Sequence, residues 1–356
     1  MTATKSFTVA TPFYLESGQV LHELTIGFET LGSLNADRTN VVVVGHALTG
    51  NCYPAEWWSG LIGPGKLLDP QHYFIITPNH IGSCYGSTGP DSIDRRTGRS
   101  YLHEFPTLTT RDIARANLLL LDHLSLDHVF LGIGGSMGGM VLLEMACEAP
   151  QLFTRLVPIA ITGAHSAWRL AFSSVIQKTI QAFGHDTESL NVGLRLARQI
   201  AMISYRSAVE FDSRFGRERC SDDPSAYYAP ANSFEVSNYL DHQGDKLVNR
   251  FSPHSYLTLT RAMELYDLHR GRSQDALSKI QADVLCVGIS TDVLYPELEV
   301  KAFSQLFTKS CYATLDAPFG HDSFLVADDV LADIVQQWLT IARSRKRTKQ
   351  LVEVAV

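Results

Sequence analysis

The stretch "HVFLGIGGSMGGMVLLEMACEAP", residues 128–150, constrains this chain more than any other. An apolar run meets a cluster of glycines around one serine, and an apolar segment of helical spacing follows. Three kinds of backbone use such glycines. A dinucleotide-binding turn needs G-x-G-x-x-G, but the series from Gly132 reaches Gly134 and then puts Met137 where the third glycine belongs. A phosphate loop needs G-x-x-x-x-G-K-[ST], and this stretch has no Gly-Lys pair. The third pattern, G-x-S-x-G, is met by Gly134-Gly135-Ser136-Met137-Gly138, in the strand–turn–helix context that it requires. The physical reason is steric. A sharp strand-to-helix turn lifts the serine hydroxyl above a sheet, and its flanking positions must be small because neighbouring backbone passes close by. Ser136 is therefore the expected nucleophile. The amide of Met137, at the helix N-terminus, is an expected donor to a developing oxyanion.

A nucleophilic serine needs a base, and the base needs an acid to orient it. In a fold built on this turn their order is Ser, then Asp or Glu, then His. Asp292 follows the late apolar run "VLCVGIS", and His321 follows the last one, "CYATLD". His254 and His269 fall outside that order. A second oxyanion donor is expected from the loop "GHALTGN", where Leu48 or its neighbour Ala47 supplies the amide.

The remaining pattern agrees with such a fold. Short apolar runs at 40–48, 73–81, 128–136, 155–162, 283–290 and 311–316 read as parallel strands buried on both faces. Helical patterns lie between them, such as "TTRDIARANLLLLDHL" with Thr109 or Thr110 as its cap. Residues 7–32 alternate around "ESGQ" as a strand–turn–strand unit. The alternation breaks between about 163 and 278, where helical segments replace strands. The expectation is an α/β fold: a mostly parallel central sheet flanked by helices, formed by 1–162 and 279–343, with a helical lid inserted at 163–278. A separate second domain is the other reading of that insertion. The basic run "ARSRKRTKQ" introduces a tail, 344–356, expected to be solvated and frayed.

Composition narrows the function. A formal net charge of -7 argues against a nucleic-acid surface. No run approaches the length of a membrane span, and the start lacks the apolar core of a signal peptide. The six cysteines are scattered without a CxxC pair, which argues against disulfides or a metal site. A cytoplasmic protein is expected. The residues alone define a serine-nucleophile α/β-hydrolase fold and leave open whether water or a metabolite accepts the acyl group.

Ten stretches resemble the homoserine O-acetyltransferase family: "GHALTGN", "WWSGLIGPGKLLDPQHYFIITPN", "GSCYGSTGP", "FPTLTTRDIARA", "GGSMGGM", "IAMISYRS", "SRFGRE", "FEVSNYLDHQGDKLVNRF", "DVLYP" and "GHDSFL". The resemblance covers about residues 7–340. It implies ping-pong acyl transfer from acetyl-CoA, a co-substrate rather than a resident cofactor, to L-homoserine through Ser136, with the Leu48 and Met137 amides as the oxyanion hole. It implies that Arg206 holds the acceptor's carboxylate and Asp322 its ammonium, that the insertion excludes water, and that the protein is a homodimer. Relatives on this scaffold also use succinyl-CoA or serine, and some are hydrolases. The chain departs from the family pattern at Val141 and Met145, where relatives often carry Gln and Trp. It departs again at Ser213, where many have a tyrosine.

Overall fold

The computed structural model describes residues 5–223, 228, 234–273 and 275–353, with side chains described as far as Ile341. Among these, eight strands form the main sheet: β1 (Lys5–Val9), β2 (Leu24–Leu31), β3 (Val41–Gly45), β4 (Phe74–Pro78), β5 (Leu131–Gly135), β6 (Arg155–Ile159), β7 (Asp283–Ile289) and β8 (Ser310–Leu315). Their order is β1-β2-β4-β3-β5-β6-β7-β8. The β1–β2 and β2–β4 pairs are antiparallel, and the rest are parallel. The apolar runs thus become strands as expected. The exception is the start. "ESGQ" closes only a small ladder of Phe13–Tyr14 with Val20–Leu21, while the long antiparallel pair forms across it between β1 and β2.

The longer helices are α1 (Thr110–His123), α2 (Met137–Glu148), α3 (Ala167–Gln181), α4 (Thr187–Tyr205), α5 (Ala208–Phe215), α6 (Glu235–Val248), α7 (Pro253–Glu264), α8 (Glu297–Ser304) and α9 (Asp328–Glu353). Of the two cap candidates, Thr109 starts α1. Its hydroxyl accepts from the Asp112 amide (3.2 Å), and the Asp112 carboxylate accepts from the Thr109 amide (2.9 Å), a capping box. The strands bury both faces by alternation. Val41 and Val43 face α1, α2 and α8, whereas Val42 and Val44 face Trp58, Leu61 and α9. The basic run expected to fray continues α9 to Glu353, consistent with its good helix formers; residues 354–356 lie outside the described residues.

The helices α3 to α7 leave the sheet after β6 and return before β7. The two ends of this excursion meet at a neck, where the Leu268 amide donates to the Gly163 carbonyl (2.9 Å) and Ala164 bridges Asp267. Beyond the neck the chain binds back to the core through charge. Glu144 on α2, with no exposed side-chain surface, receives Arg272 Nη1 (2.6 Å) and Arg111 Nε (3.3 Å). Arg111 and Arg270 also share Glu16, at 2.7 and 2.6 Å. Burial pushes the Glu144 carboxyl up, and the two arginines oppose this. Removing Glu144 takes from both arginines their most buried partner, while Arg272 keeps Glu148 (2.6 Å) and Arg111 keeps Glu16. Glu144→Ala is expected to cost about 1.5–3 kcal/mol of stability in urea unfolding, the scale of lost hydrogen bonds to a charged group; a loss below about 0.5 kcal/mol would show that solvent already screens the network.

Candidate active site

The site is assembled at the C-terminal ends of β5, β7 and β8. Ser136 follows β5 at the head of α2, with φ 53° and ψ -127°. A side chain in this region is strained by ~1–3 kcal/mol and persists only where the surroundings impose it. The glycines show how they do. A Cβ on Gly138 would lie 2.1 Å from the Gly45 carbonyl oxygen, and one on Gly134 would lie 2.8 Å from the Gly138 backbone. The start of α2 therefore abuts the end of β3 backbone to backbone. That contact brings the helix N-terminus, with the Met137 amide, beside the loop carrying Leu48. Ser136 is held by its own amide, which donates to the Ile159 carbonyl (2.9 Å).

Asp292 lies in the turn after β7. Its Oδ1 accepts from the amides of Leu294 (2.7 Å) and Tyr295 (3.1 Å), which fixes the carboxylate plane. Its Oδ2 meets His321 Nδ1 at 2.6 Å. Asp292 and His321 are 5% and 4% exposed, so the pair acts in a dry setting where a charge-assisted bond is strong. The His321 ring is enclosed by Tyr205, Tyr295 and Phe324. Phe324 also lies against Gly135, the residue before Ser136. Thr291 ties the two late loops together: its hydroxyl accepts from the Gly320 amide (3.0 Å) and donates to the Ala317 carbonyl (2.7 Å).

Gly320 couples this loop to the helical excursion. It has φ 64°, and a Cβ there would lie 2.7 Å from the Tyr205 carbonyl oxygen and 2.8 Å from the Ser207 amide nitrogen. The Ser207 hydroxyl donates to the Pro318 carbonyl. Arg206, at the end of α4, is thereby set beside the histidine loop. Its Nε stands 3.3 Å from Asp322 Oδ2, and its Nη1 3.7 Å from Glu210. Burial pushes the Asp322 carboxyl up, while Arg206 pulls it back down. The structure thus brings together the Asp292–His321 and Arg206–Asp322 pairs on adjoining residues, with Ser136, Met137 and Leu48 at the neighbouring strand ends.

Some features were not read from the sequence. Tyr239, on α6, lies among the charges of Arg206, Arg214, Glu210 and Asp322, and burial pushes its phenol up. An aromatic hydroxyl thus reaches the Arg206 neighbourhood from α6, whereas Ser213 on α5 is exposed. Arg250, beyond α6, donates from Nη1 to the Thr49 carbonyl (2.7 Å) and to the Tyr85 hydroxyl (2.9 Å), so it grips the Leu48 loop. His46 and His80, after β3 and β4, interlock beneath that loop. Their signal was two histidines just past neighbouring strands, but only the pairing of β3 with β4 gives it meaning. Val141 and Met145 lie in the apolar core between α2 and the sheet. All six cysteines are free thiols. No helix among the described residues is long and apolar enough to cross a membrane.

Strand order, strained serine turn and Asp–His pair define a protein of the α/β-hydrolase fold. The family model for that fold matches residues 40–328. The homoserine O-acetyltransferase of Chlorobaculum parvum is 41% identical over 339 residues, covering 93% of each chain. The crystal structure of homoserine O-acetyltransferase from Bacillus anthracis superposes with a TM-score of 0.85 at 22% identity, covering 95% of this chain and 98% of that one. Esterase E22 shares the fold equally, with a TM-score of 0.84 at 23% identity and coverage of 94% and 99%. At 41% identity over nearly its whole length, this chain belongs to the homoserine O-acetyltransferase family.

Proposed function

We propose that this protein transfers the acetyl group of acetyl-CoA to the side-chain hydroxyl of L-homoserine through an acyl-serine intermediate. Ser136 Oγ attacks the thioester carbonyl while His321 Nε2 takes its proton; Asp292 holds the imidazolium through Nδ1–H. The tetrahedral oxyanion is received by the amides of Leu48 and Met137. Collapse breaks the C–S bond, and the CoA sulfur leaves with the proton from His321. The homoserine hydroxyl then attacks the acyl-serine and gives its proton to His321. The second collapse returns that proton to Ser136 Oγ and releases O-acetyl-L-homoserine.

The observation that carries the acceptor assignment is the placement of Arg206 and Asp322 beside the base. Asp322 directly follows His321, and Arg206 is ion-paired to it. An acceptor that is both an acid and an amine replaces this internal pair with two of its own: its carboxylate on the Arg206 guanidinium, its ammonium on the Asp322 carboxylate. Its hydroxyl then lies toward the imidazole one residue away. The helical excursion between 163 and 278 acts as a lid that keeps water from the acyl-serine, favouring transfer over hydrolysis. We place the enzyme in methionine biosynthesis, as a cytoplasmic homodimer without a resident cofactor.

The test is CoA thiol release with acetyl-CoA or succinyl-CoA against homoserine, serine and no acceptor. Release that depends on homoserine and prefers acetyl-CoA supports the reading. Equal release without acceptor would make the protein a hydrolase, and preference for serine or succinyl-CoA would move it to a neighbouring transferase. In the same assay Arg206→Ala is expected to raise the homoserine KM about 100-fold, the scale of a lost charge-assisted contact, with the acylation rate kept. An unchanged KM would remove Arg206 from the acceptor site.

A further inference from the structure

His46 is the first residue after β3, and His80 is two residues beyond the end of β4. The rings lie 3.8 Å apart, centroid to centroid, and are 0% and 1% exposed. Their hydrogen bonds are reciprocal. His46 Nδ1 is 2.9 Å from the Ala47 carbonyl oxygen, so it carries the proton and donates. Its Nε2 is then a lone pair, and it accepts the His80 backbone N–H at 3.2 Å. In return His80 Nε2–H donates to the His46 backbone carbonyl at 2.9 Å. Each imidazole is bonded to the other residue's backbone, and both tautomers are fixed by their acceptors. Protonation would break this arrangement, because the new N–H of His46 would face the His80 N–H. Burial favours the neutral rings: it pushes His46 down to about 4 and His80 well below the usual histidine range.

The consequence lies in one peptide plane. The Ala47 carbonyl and the Leu48 N–H belong to the same peptide unit, which is planar and trans. That carbonyl is held by two donors, His46 Nδ1–H (2.9 Å) and the Gly50 amide (2.8 Å). Fixing the C=O direction fixes the N–H direction opposite to it. The histidines thus control where the Leu48 amide points.

We propose that His46 and His80 form an interlocked neutral pair that aims the Leu48 N–H at the oxyanion; the inference rests on the reading of Leu48 as an oxyanion donor. Both are positioning residues. A lost oxyanion donor costs ~100- to 1,000-fold in kcat, and a misaimed one costs less.

The experiment measures the burst of p-nitrophenol from p-nitrophenyl acetate, which reports acylation of Ser136 without CoA or acceptor. His46→Leu and His80→Leu are expected to slow acylation by ~30- to 100-fold with substrate affinity within about twofold, by the same scale. His46→Asn, whose amide restores the donor to Ala47, and His80→Gln, whose amide restores the donor to His46, should recover most of that loss. Equal rates in the leucine and amide variants, or a loss carried by substrate affinity, would overturn the proposal. Nitrogen NMR of the wild type keeps the proposal falsifiable if the leucine variants do not fold: His46 must be the neutral Nδ1–H tautomer and His80 the neutral Nε2–H tautomer at neutral pH, and any other pair of states refutes the interlock. A Ser136→Ala variant that keeps the wild-type release of p-nitrophenol would instead overturn the nucleophile reading.

Discussion

Ser136→Ala is expected to lower homoserine-dependent thiol release by ~10,000-fold or more while leaving the fold intact, because the nucleophile and its base act as one unit. The backbone at 136 has φ 53°, and alanine there carries the same strain as serine. The melting temperature of the alanine variant should therefore match that of wild type. Ser136→Gly separates the two roles of the residue. Glycine adopts this conformation without a Cβ penalty, so the variant should be equally inactive yet more stable by about 1 kcal/mol. A glycine variant less stable than alanine would mean that the turn is not strained. An alanine variant with near-normal turnover would remove Ser136 from the reaction.

Asp292→Asn is the second large effect. Asp292 Oδ1 already accepts two amides, from Leu294 and Tyr295, so an asparagine keeps its oxygen there and turns its NH2 toward His321. The imidazole, 2.6 Å away in the wild type, must then accept at Nδ1 and carry its proton on Nε2. Such a histidine cannot take the proton of Ser136. The expected loss in kcat is ~10,000-fold with little change in KM, the cost of holding the base in the wrong tautomer. Stability should change little, since both backbone contacts survive. A loss of less than about tenfold would mean that Asp292 does not orient the base.

Much of the fold and of the candidate site is legible in the sequence, for identifiable reasons. The buried strands announce themselves as apolar runs because both faces of a parallel sheet are covered. "GGSMGG" is readable because backbone packing at Gly134 and Gly138 leaves no room for a Cβ. Asp292 and His321 follow from their order after strands. What was not legible depends on contacts between distant segments. The turn "ESGQ" gave a local hairpin signal, but the long β1–β2 pair is set by the sheet it joins. Tyr239 and Arg250 reach the site from the helical excursion, whose path no periodicity specifies. His46 and His80 are 34 positions apart, and only the adjacency of β3 and β4 makes them a pair.

The central claim is that the acyl group passes through Ser136, and intact-protein mass measurement tests it most directly. Incubation with acetyl-CoA and no acceptor should add one acetyl group, located on the peptide containing Ser136, and homoserine should remove it with formation of O-acetylhomoserine. An enzyme that turns over both substrates without ever carrying the acetyl group, or that carries it on another residue, would contradict the account.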